Sequence, residues 1–495
     1  MTSQARRLRT TVWGVVLGVT LAGVAVVPVS AAAAPKSPHW YDCAPEGKDK
    51  PEDVKGSQCA TLQVPIDWKK PGGGTFGLSI ARREAKDPAR RVGVLVFGPG
   101  GPGDSGVDRI KTGMGRFSDD LQDRFDIVSF DPRGIARSNP VRCSAALLAK
   151  QPDPLIKNQA DFDRTVRYNR ELAADCRSHT GPVYDHIDTL QTVRDVDAIR
   201  AALGEQKLSF HGSSYGTLLG GQYAERYPNR VRAMVLESVF DHGDATTGEF
   251  LDEQAATVQD SFGEFVTWCD AATACTLHGR DVRALWADLL ARAGRGEIPD
   301  PRRPTVAISP FFLSFVVFRT LYEPRWRELA ATLKRFEESK PPTGEPAVPA
   351  GLAPNTLAPF CRDFSLPARD YAELAGHLRR VEQNNPDMKY VPQLIAVTSC
   401  LGLPKAENSQ QDLRIRGLKT PALLSNSLHD PATGYGWATS VASQFGNQGV
   451  LLTYQGWGHG SYNKSPCVEQ RIDDYLVSLT VPPRGMSCPA IPPAG

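Results

Sequence analysis

The sequence predicts an α/β fold: a mostly parallel sheet with helices on both faces, interrupted by a helical insertion. Three observations carry this reading. First, the apolar runs Val92–Phe97 and Phe125–Phe130, followed by Lys207–His211 and Val231–Leu236, read as strands, the first nearly continuous as in a strand buried on both faces. Second, helical stretches separate the later strands, at Thr192–Leu203 and from near Ser214 onward, and such alternation favours parallel pairing. Third, residues 240 to about 410 contain no strong buried-strand run; Phe311–Leu321 and Trp326–Phe336 read as helices there, before a Pro-rich break from Lys340 to Pro354. Strands resume at Pro421–Ser425 and Val450–Tyr454. The expected division is therefore a leader at 1–34, a first core part at 35–240, a helical cap at 241–410, and a second core part with a tail at 411–495.

The entry to the sheet is a hairpin. Ala60–Val64 and Phe76–Ala81 read as strands, and Lys69-Lys70-Pro71-Gly72-Gly73-Gly74 between them suits the turn. A chain of 495 residues with 41% hydrophobic and 23% charged residues has ordinary globular composition. Its formal charge is +2, and without the first 34 residues it holds 54 basic against 55 acidic side chains. That balance gives no reason to expect nucleic acid as a partner.

The N-terminus has the three parts of an export signal. Arg6, Arg7 and Arg9 precede an apolar run from Val12 to Val29, which ends in Ser30-Ala31-Ala32-Ala33-Ala34. A membrane anchor is the alternative, but the Ala-rich exit and the lack of a second such run favour cleavage and secretion, leaving no stable membrane span. Arg6-Arg7 suits a twin-arginine route without deciding between that and the general one. Ten cysteines agree with an oxidising destination: Cys43, Cys59, Cys143, Cys176, Cys269, Cys275, Cys361, Cys400, Cys467 and Cys488. The simplest pairing joins neighbours in sequence into five local loops, although connectivity is open at this level. No zinc-type spacing occurs, so neither metal nor cofactor is expected.

The chemistry begins at Gly212-Ser213-Ser214-Tyr215-Gly216, a G-x-S-x-G between a strand and a helix. There the serine occupies a sharp turn, and small residues two before and two after it let the backbone fold so that Oγ stands above the sheet. Serine needs a base, and the base an orienting acid. In α/β-hydrolases these follow in the order Ser, acid, His. Of the five histidines after Ser214 (His242, His278, His377, His429 and His459) only His459 follows the last strand, in Gly456-Trp457-Gly458-His459-Gly460. Asp430 follows the strand Pro421–Ser425 and is the sole carboxylate between Asp412 and Glu469. Ser214, Asp430 and His459 are thus the candidate triad. The backbone N–H of Tyr215 is one expected oxyanion donor. The other should come from the glycine-rich loop after Val92–Phe97, with Gly101 first and Gly100 close behind. Prolines in that loop exclude a dinucleotide fingerprint, and no Walker lysine is present.

These residues carry a family resemblance. Pro99-Gly100-Gly101-Pro102-Gly103-Asp104-Ser105-Gly106 resembles the PGGPGGSG loop of the secreted actinobacterial tripeptidyl aminopeptidases, which are relatives of prolyl aminopeptidase. Asp131-Pro132-Arg133-Gly134, Arg194-Asp195-Val196-Asp197-Ala198-Ile199-Arg200, Ser213-Ser214-Tyr215-Gly216-Thr217 and Gly458-His459-Gly460 are similar too, as is the cysteine-bearing tail. The resemblance spans roughly Cys43 to Cys488 and implies an α/β-hydrolase fold with a helical cap, releasing short peptides from free N-termini. Three departures bear on substrate choice: Asp104 replaces a usual glycine, Glu237-Ser238 stands where Asp-Gly is usual, and Gly434 where proline is common.

An exported carboxylesterase or amidase with the same triad is the alternative function, and a non-catalytic binding protein on this scaffold is a third. End specificity requires a site for a largely cationic free amine, and a carboxylate in a partly desolvated pocket suits it. Glu237 is the first candidate and Asp241 the second, with capping of the following helix as the competing role. Substrate length, natural substrate and oligomeric state stay open.

Overall fold

The computed structural model describes residues 37–243, 246–344 and 349–493. The expected export signal, residues 1–34, lies outside the described residues. The eight predicted strands all form, and with two short strands that the sequence did not announce, Tyr41–Asp42 and Ser487–Cys488, they make one ten-stranded sheet. In chain order these are β1 Tyr41–Asp42, β2 Gln58–Pro65, β3 Thr75–Arg83, β4 Gly93–Gly98, β5 Phe125–Phe130, β6 Leu208–Ser213, β7 Val231–Glu237, β8 Ala422–His429, β9 Gly449–Trp457 and β10 Ser487–Cys488. Their order across the sheet is β1-β2-β3-β5-β4-β6-β7-β8-β9-β10. The β1–β2, β2–β3 and β3–β5 pairs are antiparallel, and every pair from β5–β4 to β9–β10 is parallel.

The central strands show why continuous apolar runs are needed. All six residues of β4 are buried; Val94 and Val96 join the core on one face, Leu95 and Phe97 that on the other. Alternate side chains thus serve two helical layers. The helices used below are α1 Gln159–Thr180, α2 Thr189–Ala202, α3 Tyr215–Arg226, α4 Thr247–Ala271, α5 Val282–Gly294, α6 Pro310–Leu321, α7 Trp326–Glu337, α8 Tyr371–Asn384, α9 Tyr435–Phe445 and α10 Pro466–Ser478.

Between β7 and β8 the chain is mainly helical, from α4 to α8. Four of these helices share their own core of Phe262, Trp286, Leu289, Val317, Leu329 and Leu333. α4 starts at a capping box: Thr246 Oγ1 accepts the Glu249 N–H, while the Glu249 carboxylate accepts the Thr246 N–H. The region is not purely helical. Pro299–Asp300 pairs with Arg303–Ala307, and Leu352–Pro354 pairs with Arg142–Ser144 of the first core part. Both ribbons are short and largely exposed, so no buried apolar run announces them. A further cluster containing Tyr215, Leu218, Phe250, Phe360, Phe364 and Trp437 joins this region to the sheet's helices.

Five disulfides link Cys43–Cys59, Cys143–Cys176, Cys269–Cys275, Cys361–Cys400 and Cys467–Cys488, each cysteine to its sequence neighbour. Among the described residues no helix is long and apolar enough to cross a membrane.

Candidate active site

Ser214 is the single residue between β6 and α3, with φ 55° and ψ −124°. A non-glycine residue in this region is strained, and the turn is so sharp that the residues two before and two after it must lack side chains. A Cβ added to Gly212 would lie 2.4 Å from the Gly216 carbonyl oxygen, and one added to Gly216 would lie 2.2 Å from that of Gly98. The glycines flanking the serine are therefore steric requirements of the elbow. Among the described residues the Ser214 hydroxyl has no hydrogen-bond partner; hydrogen bonds of a catalytic hydroxyl often tighten only with substrate.

Asp430 and His459 leave the ends of β8 and β9, which are parallel neighbours. His459 Nδ1 lies 3.0 Å from both Oδ1 and Oδ2 of Asp430. With Nδ1–H donating to the carboxylate, Nε2 is left as the proton acceptor. Asp430 is buried and accepts further bonds from Ala432 N–H (2.8 Å), Thr433 N–H (3.0 Å), Thr433 Oγ1 (3.1 Å) and Ser238 Oγ (2.8 Å). Such a donor set fixes the orientation of the carboxylate. His459 is held by its own N–H, which donates to the Tyr322 carbonyl at 2.8 Å, and by the Tyr322 ring at 4.7 Å. Burial pushes the Tyr322 phenol up to about 12, so it stays protonated. The link to Ser214 runs through β7: Ser214 N–H donates to the Glu237 carbonyl at 2.9 Å, and the next residue, Ser238, touches Asp430. The other four later histidines are engaged elsewhere. His242 meets the Asp363 carbonyl, His278 the Cys269 carbonyl, His377 lies beside Arg380, and His429 Nδ1 lies 2.8 Å from Asp260.

The glycine loop after β4 packs on the serine. A Cβ on Gly100 would lie 3.1 Å from Ser214 Cβ, whereas Gly101, at φ 110°, turns the loop back on Gly103. Gly100 is thus the one whose missing side chain makes room for Ser214. Tyr215 is buried, and its phenol donates to Asp363 at 2.6 Å, which fixes the first turn of α3. Arg133 and Asp195, two of the motif residues, form a fully buried pair with two 2.7 Å contacts and act in the scaffold.

Glu237 does not offer a free carboxylate, which corrects the expectation for the first amine-anchor candidate, and Asp241, the second, is buried with Oδ1 already accepting two hydrogen bonds. Glu237 is buried; Oε1 accepts Ser461 N–H (2.8 Å) and Tyr462 N–H (2.6 Å), and Oε2 meets His211 Nε2 (3.1 Å) and Arg116. Burial alone would raise its pKa, but the Arg116 charge, His211 and Tyr462 N–H outweigh it and hold the group far below the usual carboxylate range. Its task is to hold the loop beyond His459. Asp241 accepts Gly243 N–H (2.7 Å) and Gln444 Nε2 (3.0 Å). Neither caps α4, whose N-cap is Thr246.

An acidic group near these loops that the sequence reading did not single out is Glu253. On α4, residues 253, 257, 260, 261 and 264 share one face, and this face lies over the loops of Asp430 and His459. Ser261 Oγ donates to the His429 carbonyl (3.2 Å), and Trp457 Nε1 donates to Glu264 (2.8 Å). Cβ atoms on Gly434 and Gly436 would approach Glu253 Oε1 to 2.8 and 2.5 Å. Gly434 in place of proline is therefore what admits the helix here. Glu253 is half-buried and, among the described residues, has no hydrogen-bond or ionic partner. Burial, then the charge of Asp241, raises its pKa. The groupings nearest to metal-ligand spacing are already occupied: Cys143 and Cys176 are bonded to each other, Asp260 to His429, and Glu264 to Trp457.

Residues 93–309 match the family described as alpha/beta hydrolase fold, and residues 390–488 match that described as TAP-like protein; together they span more than half of the chain. The serine protease Hip1 of Mycobacterium tuberculosis is 29% identical over 474 residues, covering 88% of this chain and 87% of the relative. The tripeptidyl aminopeptidase of Streptomyces lividans is 28% identical, covering 91% and 86%. Carboxylesterase B of Mycobacterium tuberculosis is 29% identical, covering 94% and 92%. Fold and relatives together make this chain a serine hydrolase of peptidase type with the α/β-hydrolase fold, similar along most of its length to the tripeptidyl aminopeptidases.

Proposed function

We propose that the chain is an exported serine exopeptidase that releases short peptides, tripeptides by its resemblance, from free N-termini. Ser214 Oγ attacks the scissile carbonyl while His459 Nε2 takes its proton; Asp430 holds the imidazole and stabilises its charge. The oxyanion is met by Tyr215 N–H and by an N–H of the Gly100-Gly101 loop. His459 then protonates the leaving amine, and water releases the acyl-enzyme by the same proton path in reverse. The five disulfides fit an exported destination.

Glu253 is the observation that carries the end specificity. A half-buried carboxylate with no partner among the described residues is costly, and a substrate ammonium would supply the missing charge where pairing is stronger than in water. Acetylating the N-terminus of a good tripeptide substrate should lower kcat/KM at least about tenfold, or about 1.4 kcal/mol. Equal hydrolysis of free and acetylated substrates would overturn this reading. The similarity to a carboxylesterase favours a second one, an esterase using the same triad; faster turnover of a short-chain ester than of an unblocked peptide amide at matched concentration would select it.

A further inference from the structure

Ser238 is the first residue beyond β7, and it adopts φ 54°. That left-handed conformation suits glycine and strains a residue with a Cβ. The side chain is fully buried, and its hydroxyl uses both of its capacities across two separate loops. It donates to Asp430 Oδ2 at 2.8 Å and accepts the Gly460 N–H at 2.7 Å. Its own backbone N–H donates to the Ser425 carbonyl of β8 at 2.9 Å, so the hydroxyl is carried on a rigid strand end. Asp430 and His459 belong to loops after different strands, and no covalent constraint sets their spacing. The 3.0 Å contact between them depends on how those loops are held.

We propose that Ser238 is a positioning residue: its hydroxyl ties the carboxylate of Asp430 to the backbone beside His459 and so sets the geometry of the acid–base pair. This rests on the triad assignment made above. The backbone strain makes the idea testable, because structure and chemistry point in opposite directions at this one residue. Ser238→Gly relieves the φ constraint and removes the bridge. Ser238→Ala keeps the constraint and removes the same bridge.

The account expects both variants to lose about tenfold in kcat with KM changed less than twofold, since an interaction acting in the transition state is affected. The pH at which kcat/KM rises should move in both, because the donor set of Asp430 changes. Thermal stability should separate them, with Ser238→Gly melting higher than Ser238→Ala. A merely structural serine would leave Ser238→Gly as active as the parent, with an unmoved pH profile, and that result would overturn the proposal. Asp430→Asn and His459→Ala are measured beside them. If either keeps parental turnover, the triad assignment itself fails, whereas loss in both with a fully active Ser238→Gly removes Ser238 alone.

Discussion

Two glutamates border the loops that carry Asp430 and His459, and they are treated in opposite ways. Glu237, at the end of β7, is fully buried yet surrounded by Arg116, His211 and two backbone N–H groups. Glu253, on the inserted helix α4, is only half-buried yet has no partner among the described residues. Charge is depressed into permanence in one and penalised in the other. The difference is one of completion: the sheet end satisfies its own carboxylate, while the insertion leaves one without a partner among the described residues, over the Asp430 loop, where the proposed amine site would lie.

The sharpest break between scaffold and chemistry is Ser214→Ala. Turnover should fall on the order of 10⁴-fold or more, because a lost triad member removes the covalent route. Stability should move by less than about 0.5 kcal/mol, since the hydroxyl has no partner to lose among the described residues. Chemical denaturation and reaction with a fluorophosphonate probe check the two halves separately.

Glu237→Gln tests the scaffold side. Removing the charge that faces Arg116 should cost about 3 kcal/mol at pH 7, read by urea unfolding. The sign follows from the depressed pKa: the parent's extra stability is complete above the unfolded carboxylate value of about 4.3 and is lost as pH falls toward the folded value. The gap between parent and variant should therefore be flat near neutrality and shrink below about pH 4. A gap that widens in acid would contradict this.

A third carboxylate lies under the same histidine loop and sharpens the contrast. Asp473 accepts the Tyr462 phenol at 2.6 Å but faces no cation among the described residues, and burial holds its pKa up to about 6. The folded state then binds the proton more tightly than the unfolded one, so this group's contribution declines as pH rises from about 4 to 6. Asp473→Asn should raise stability at pH 7 on the order of 1 kcal/mol and have no such effect at pH 4.

The sheet was legible because buried parallel strands must be apolar along their length, as Val92–Phe97 is. The elbow was legible because Gly212 and Gly216 are steric necessities, and Asp430 and His459 because each stands in the loop after its strand. The partners of Glu237 were not, since Arg116, His211, Ser461 and Tyr462 come from distant segments and carry no local signal. Glu253 looks like any polar residue of an amphipathic helix until α4 is laid over Gly434 and Gly436. The helix α1, Gln159–Thr180, also went unread, because it is largely polar and buries few of its residues.

The central claim, a serine peptidase that holds its substrate's free amine through Glu253, is tested most directly by one four-way comparison. Free and N-acetylated forms of one tripeptide substrate are hydrolysed by the parent enzyme and by Glu253→Gln, and kcat/KM is compared. The account predicts at least about tenfold preference for the free amine in the parent, equivalent to about 1.4 kcal/mol, and near-equal rates in the variant. A variant that still discriminates as strongly as the parent would contradict it.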